Sequence, residues 1–258
     1  MNGASGWASV LAVLVGGLFA WQMHRLILAA RVANRIDWGR GWMNFIDGLN
    51  RLFCYRYHRL NVSGLRLPKR GPAIVVSNHL SGLDPLLLIA TSRRPLRFLI
   101  ATEQYHRFGL NWLFRALGCI PVDRSGRPER ALRVALRALQ SGEVVALFPQ
   151  GAIHLDSDTP RRLKPGAARL SQLTGAPLYP QRLSGIAGAG HVLMALVFRS
   201  RARLDRFPPI YAGTKELATI QAELSSLLDA NLGDTRLRGG EPDHGTGNRY
   251  LGCNQRRS

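Results

Sequence analysis

The period of apolar positions changes twice along this chain, and the changes divide it into three stretches. From Ala4 to Met23 no Asp, Glu, Lys or Arg interrupts, and Val10 to Phe19 is almost wholly apolar. As a helix this stretch would be about 30 Å long, enough to span the hydrocarbon core of a bilayer. Trp7 and Trp21 flank it as interface anchors do. A cleaved signal peptide fits less well, because no basic residue precedes the apolar run. A helix docked on the protein's own core would show a polar face, and none is present. Arg25, Arg31, Arg35 and Arg40 follow, with only Asp37 against them. The positive-inside rule then puts the bulk of the chain on the cytoplasmic face of a membrane.

The next pattern is amphipathic. Trp38, Trp42, Phe45, Leu49 and Leu52 recur at helical spacing, while Arg40, Asn44, Asp47, Asn50 and Arg51 fall largely elsewhere on the wheel. The stripe suits a helix lying on a membrane surface or one packed on the core of the protein. From about Tyr57 apolar runs alternate with helical patterns. Strands are expected at Leu60–Leu65, Ala73–Ser77, Leu96–Ala101, Cys119–Val122, Val144–Phe148 and Leu193–Phe198. Helices are expected from Pro85, over Gln104–Leu117, Pro128–Gln140, Lys164–Leu173 and Lys215–Leu228. This alternation predicts an α/β fold: a mixed, mainly parallel sheet covered by helices, preceded by N-terminal membrane-associated helices. The organisation read from the pattern is 1–56 for the N-terminal helices and 57–230 for the globular domain. Residues 231–258 are Gly-rich and polar, and read as a disordered tail.

Charge sharpens the choice of partner. The chain carries 35 Lys+Arg against 16 Asp+Glu, a formal charge of +19. Such a field favours an anionic partner, whether lipid headgroups or a phosphorylated substrate. Nucleic acid is set aside, because no nucleic-acid motif accompanies the charge and the N-terminus is apolar. Lys occurs only at Lys69, Lys164 and Lys215, so Arg supplies nearly all the positive charge and its placement says more than its total. Cys54, Cys119 and Cys253 are scattered, which predicts neither a disulfide framework nor a metal site.

The candidate chemistry begins at Asn78-His79-Leu80-Ser81-Gly82-Leu83-Asp84. His79 sits where a strand ends and Asp84 where a helix begins. Asp84 is a natural N-cap, and it could equally reach back to His79. A carboxylate on one imidazole nitrogen fixes the tautomer and leaves the other nitrogen free as a base. Three further loops stand out: Gly118 to Arg124, Ala146 to Gly151 followed by Arg161 to Ala168, and Ala176 to Arg182.

In this order and spacing the four segments resemble the glycerolipid acyltransferases, that is, the lysophosphatidate (1-acylglycerol-3-phosphate) acyltransferases and their relatives. Asn78-His79-xxxx-Asp84 matches the family's NHxxxxD block, and Val122-Asp123-Arg124 the second block with its arginine. Phe148-Pro149-Gln150-Gly151 stands where the family has Phe-Pro-Glu-Gly. Lys164 with Pro165-Gly166-Ala167-Ala168 matches the Lys-Gly-Ala run, and Pro177 and Pro180 match the fourth block. The resemblance covers about Leu60 to Gly185. It implies that His79 and Asp84 are catalytic, and that Asn78, Arg124, Phe148, Pro149, Gln150, Gly151, Lys164 and Pro180 belong to the substrate site. It also implies acyl transfer from acyl-CoA or acyl-carrier protein as co-substrate to a lysophospholipid hydroxyl, with no further cofactor and no metal. Phospholipid biosynthesis at a membrane, among membrane lipids as partners, goes with it. No GxSxG elbow is present, and neither Ser81 nor a cysteine is expected to act as nucleophile.

One departure bears on the acceptor. Where the family reads Phe-Pro-Glu-Gly-Thr-Arg-Ser, this chain has Phe148-Pro149-Gln150-Gly151-Ala152-Ile153-His154. The carboxylate has become an amide, and the second phosphate-contacting arginine has become Ile153. His154, Arg161 and Arg162 are the candidates to replace that cation. A different lipid acceptor (a glycolipid, isoprenoid or lipoamino acid) and a catalytically inactive membrane-binding homologue are the alternatives.

Overall fold

The structure, a computed structural model, describes residues 3–106, 109–124, 126, 128–155, 157–159 and 162–229. The expected tail at 231–258 lies outside them. Among the described residues seven strands form one sheet: β1 (Asn61–Gly64), β2 (Ala73–Ser77), β3 (Leu96–Ala101), β4 (Ile120–Val122), β5 (Val144–Leu147), β6 (Leu178–Ser184) and β7 (Arg203–Arg206). Their order is β1-β7-β6-β2-β5-β3-β4. Every pairing is parallel except β6 with β7. Helices cover both faces, so β2 and β5 are buried along their whole length and read as continuous apolar runs. On β2, Ala73 and Val75 face one core cluster, and Ile74 and Val76 face the other. The first cluster lies under α3 (Asp84–Thr91). The second lies under α6 (Pro128–Gln140), α7 (Gly166–Thr174) and α9 (Leu217–Leu228).

The N-terminal helix α1 runs from Gly3 to Ala33, longer than the uncharged stretch alone suggests. Its segment Val10–Ala33 is long and apolar enough to cross a membrane, and none of it packs inside the protein beyond its last turns. Near that end Ala30 is fully buried against Gly48 of α2 (Gly41–Leu52). A Cβ at Gly48 would come within 1.8 Å of the Ala30 carbonyl oxygen, so glycine is what lets the two backbones touch.

Several expectations are corrected. The amphipathic helix begins at Gly41, and Trp38 precedes it. Its buried side is Met43, Asp47, Gly48 and Arg51, whereas Trp42, on the apolar stripe, is exposed. A π-helical turn, Phe53–Tyr57, follows α2. The helix expected over Gln104–Leu117 is two short ones, α4 (Thr102–Tyr105) and α5 (Asn111–Ala116), with Gly109 at φ +80° between them. The strand expected at Leu193–Phe198 is a helical turn, α8 (Met194–Val197). The segment read as a loop from Ala176 to Arg182 is mostly β6, an interior strand. Pro180 is accommodated there because β7 ends beside it, and its carbonyl accepts from the Phe207 N–H.

Candidate active site

The tight loop between β2 and α3 is organised by one carboxylate. Asp84 is fully buried, and Oδ2 accepts from the Leu80 N–H (2.6 Å), the Ser81 N–H (2.9 Å) and His79 Nδ1 (2.8 Å). Oδ1 accepts from the Ser81 hydroxyl at 2.8 Å. Asp84 is thus not an N-cap for α3. It opens the helix as its first residue and turns its acceptors back onto the loop before it. With a carboxylate on Nδ1–H, neutral His79 carries its lone pair on Nε2. No hydrogen-bond partner meets that nitrogen among the described residues, and the ring is about one-fifth exposed. Ser81 is also spent, giving its proton to Asp84 and accepting from the Leu83 N–H.

The backbone of His79 is held on both sides. Gln150 Oε1 accepts its N–H at 2.8 Å, and its carbonyl accepts the His154 N–H at 2.8 Å. This contact uses an acceptor oxygen, which the Gln150 amide supplies without a charge. The Phe148 ring stacks on the imidazole with 4.2 Å between centroids. Asn78 is buried and ties the loop to β6, giving Nδ2–H to the Leu183 carbonyl (2.9 Å) and accepting the Leu183 N–H (2.7 Å).

Beyond Phe148 a groove of about 370 Å³ runs over the carboxyl ends of β3, β4 and β5, between α6 and α7. Leu99, Val122, Leu132, Leu147 and Leu170 make its floor apolar, and Arg124, Lys164 and Arg169 supply cations. Open α/β sheets bind ligands at this end. Lys164 lies across Gly151, which has φ +76°; a Cβ there would sit 2.7 Å from the lysine Nζ. The Lys164 N–H bonds the Pro149 carbonyl at 2.8 Å, which fixes the approach to α7.

The structure therefore gathers His79, Asp84, Phe148, Gln150 and His154 into one cluster, and Arg124, Pro149, Gly151 and Lys164 into the adjoining groove. Pro180 lies in the sheet beside Val76 and lines neither. Asn78 faces β6. Of the three replacement cations considered, His154 Nδ1 is 3.5 Å from Asp158, Arg162 is exposed, and Arg161 falls outside the described residues. Arg169 was not foreseen; its only signal is its place one turn into α7, on the side of Lys164. Gly190 was also missed: its N–H bonds the Leu80 carbonyl at 2.8 Å, buttressing the His79 loop from beyond β6. The two described cysteines are no nucleophiles, since burial pushes the Cys54 and Cys119 thiols each up to about 12.

Comparison with known proteins adds to this geometry. Residues 59–184 match the family model described as Acyltransferase. A probable 1-acyl-sn-glycerol-3-phosphate acyltransferase of Mycoplasma genitalium is 31% identical over 129 residues, 47% of each chain. The 1-acyl-sn-glycerol-3-phosphate acyltransferase of Borreliella burgdorferi is 29% identical over 119 residues, 45% of this chain and 47% of that one. An N-acylphosphatidylethanolamine synthase of Arabidopsis thaliana is 32% identical over 123 residues, 44% of this chain and 43% of that one. The chain spans about half the length of the curated relatives it matches. The crystal structure of the 1-acyl-sn-glycerophosphate acyltransferase PlsC from Thermotoga maritima has the same fold. It superposes with a TM-score of 0.58 at 20% identity, over 74% of this chain and 80% of that one. The ordered motifs, the fold and the family match agree: residues 59–184 form an acyltransferase domain similar to that of the 1-acylglycerol-3-phosphate acyltransferases.

Proposed function

We propose that this chain moves a fatty acyl group from acyl-CoA or acyl-carrier protein to the free hydroxyl of 1-acylglycerol-3-phosphate. The observation that carries the reading is His79 Nδ1 at 2.8 Å from a fully buried Asp84, with Nε2 left to a substrate. Nε2 takes the acceptor's hydroxyl proton as that oxygen attacks the thioester carbonyl. A C–O bond forms and the carbonyl electrons move onto oxygen, giving a tetrahedral oxyanion. Its collapse breaks the C–S bond, and the departing sulfur takes the proton back from the imidazolium. Asp84 holds the ring and stabilises its charged form meanwhile. Arg124 and Arg169 suit the phosphate of the acceptor, since guanidinium groups bind two phosphate oxygens at once, and Lys164 adds the point charge of an ammonium. The apolar groove floor suits an acyl chain. The exposed apolar face of α1 keeps the enzyme at the bilayer that holds both lipid substrate and product, with the domain on the cytoplasmic side.

Ile153, standing where the family carries an arginine, favours a second reading in which the same chemistry serves a lyso-lipid with another headgroup. The deciding experiment incubates the full chain with radiolabelled acyl-CoA or acyl-carrier protein and a panel of lyso-lipids, and identifies the labelled product. Labelled phosphatidate is expected. Label in another lipid alone would replace the acceptor, and no labelled product from any member of the panel would overturn acyl transfer.

A further inference from the structure

More arginines line a cavity at the other end of α3 than line the groove. This cavity has a volume of about 440 Å³ and opens where α1, the π-helical turn, β1 and α3 meet. Arg35, Arg51, Arg56, Arg66, Arg93 and Arg206 line it, and no Asp or Glu does among the described residues. Arg51 is spoken for: Asp47 and backbone carbonyls take its donors. Arg206 is only partly satisfied. One of its terminal nitrogens donates to the Thr91 carbonyl at 2.8 Å, but its Nε is buried without an acceptor. Burial, with Arg66 adding to it, pushes the Arg206 guanidinium below its ordinary value. The neighbouring acid on β7, Asp205, is engaged by Ser63 and Arg203. A second hollow of about 320 Å³ shares Arg66, Arg93 and Arg206 and adds Lys69 and Arg94.

Guanidinium groups gathered round one hollow repel each other unless an anion sits among them. Their planar forks match phosphate oxygens. The position names the source of that phosphate. Ala33, the last residue of α1, and Arg35 form part of the wall, so the cavity lies where the apolar helix gives way to polar chain. For a helix seated in a bilayer, that level is the headgroup layer. The eight residues of α3 separate the cavity from Asp84, a distance of about 10 Å along the helix axis.

We propose that this arginine cavity binds the phosphodiester headgroup of an anionic phospholipid, at a site separate from the His79 site. Occupied, it fixes the globular domain against the membrane at the foot of α1. The proposal rests on α1 lying in the bilayer and not on acyl transfer.

The test measures binding of the full chain to phosphatidylcholine vesicles with and without phosphatidylglycerol. Three double variants are compared with the wild type. Arg66→Gln/Arg93→Gln and Arg56→Gln/Arg66→Gln remove exposed cavity arginines, and Arg133→Gln/Arg137→Gln removes the same charge from α6 on the opposite face of the sheet. Both cavity pairs are expected to lose about thirtyfold in affinity for the anionic vesicles, at unchanged melting temperature, while the α6 pair loses little. Equal losses in all three pairs would mean a diffuse surface field and would overturn the site. So would no loss in the cavity pairs. Inorganic phosphate or glycerol phosphate displacing the protein from anionic vesicles at the same ionic strength as an inert salt control would assign the cavity to a soluble phosphate and overturn the lipid source. A wild type that fails to attach even to phosphatidylcholine vesicles would overturn the premise about α1 and the proposal with it, and would leave acyl transfer in detergent untouched.

Discussion

Both ends of α3 are gripped by a carboxylate and a nitrogen base, and the two grips are built to opposite ends. At its C-terminal end Arg51 reaches from α2, with Nε 2.6 Å from Asp47 and its terminal nitrogens on the carbonyls of Ala90 (2.6 Å) and Ser92 (2.7 Å). The pair is buried and both partners are used, which satisfies carbonyls that a helix end otherwise leaves open. At the N-terminal end Asp84 is equally buried and equally satisfied, but its partner is not: His79 keeps Nε2 without a protein donor or acceptor among the described residues. One grip is closed and holds structure. The other is closed on its acid side and open on its base side, which is the arrangement a proton acceptor needs. A carboxylate–cation pair is therefore not a site in itself; the unfilled position is what distinguishes one.

The sharpest way to break the comparison is at the open grip. His79→Ala should lower acyl transfer by about 10²–10⁴-fold, the usual reach of a general base, with unfolding free energy and vesicle attachment nearly unchanged. Asp84→Ala should lose at least as much activity. It should also lose stability, because Leu80 N–H, Ser81 N–H and the Ser81 hydroxyl lose their common acceptor. Radiolabelled transfer and chemical denaturation of both variants read this out. A fully active His79→Ala would end the mechanism.

The closed grip should respond in the opposite currency. Arg51→Ala strands Asp47, the α3 carbonyls of Ile89 and Ala90, and the carbonyl of Ser92 just beyond the helix in a buried setting, and about 3–5 kcal/mol of stability should go with it. Urea denaturation of the variant measures this directly. Activity per folded molecule, taken well below the midpoint, should fall far less than in His79→Ala. Arg124→Ala comes next in size. It removes one cation from the groove and should raise KM for a phosphate-bearing acceptor about tenfold, leaving kcat within a factor of about two, since a charge-assisted hydrogen bond contributes roughly 1.5–3 kcal/mol. An unchanged KM would take Arg124 out of acceptor binding.

The open grip was legible in the sequence and the closed one was not, for a physical reason. His79 and Asp84 stand five residues apart on a loop between a continuous apolar run and a proline-led helix, so local spacing carries the geometry. Asp47 and Arg51 are also local to each other, but what makes them buried is the carbonyl end of a helix some 40 residues on, and a helical wheel counts charged positions as outward-facing. The same limit hid the Gln150–His79 bond, which joins residues 71 apart. Strands β2 and β3 came through with their observed ends: β2 is an apolar run buried along its whole length, and β3 is apolar apart from Arg97, whose charge is taken by Glu143. β6 did not, because Pro177, Pro180, Gln181 and Arg182 look like turn chemistry until β7 is known to end beside Pro180. In α8 a short apolar run suited strand and helix alike, and its exposed Met194 and Val197 show that the run was never a core strand.

His58 offers a smaller test of the same distinction, because it is a buried base with neither a closed grip nor an open one. It lies fully inside, edge-on to Phe53 and Tyr57, and neither ring nitrogen has a partner. Burial pushes its pKa below the ordinary 6.5. The unfolded chain then binds a proton below about pH 6.5 that the folded chain refuses. Stability contributed by the neutral ring is complete above that pH and is lost as the pH falls towards the folded-state value, at no more than about 1.4 kcal/mol per pH unit for one proton. His58→Phe keeps an aromatic ring against Phe53 and Tyr57 and carries no proton. Its stability, followed by urea denaturation between pH 8 and pH 5, should fall less steeply below pH 6.5 than that of the wild type. Parallel curves would mean that the acid sensitivity of the fold lies elsewhere, in groups whose partners, unlike those of His58, are already in place.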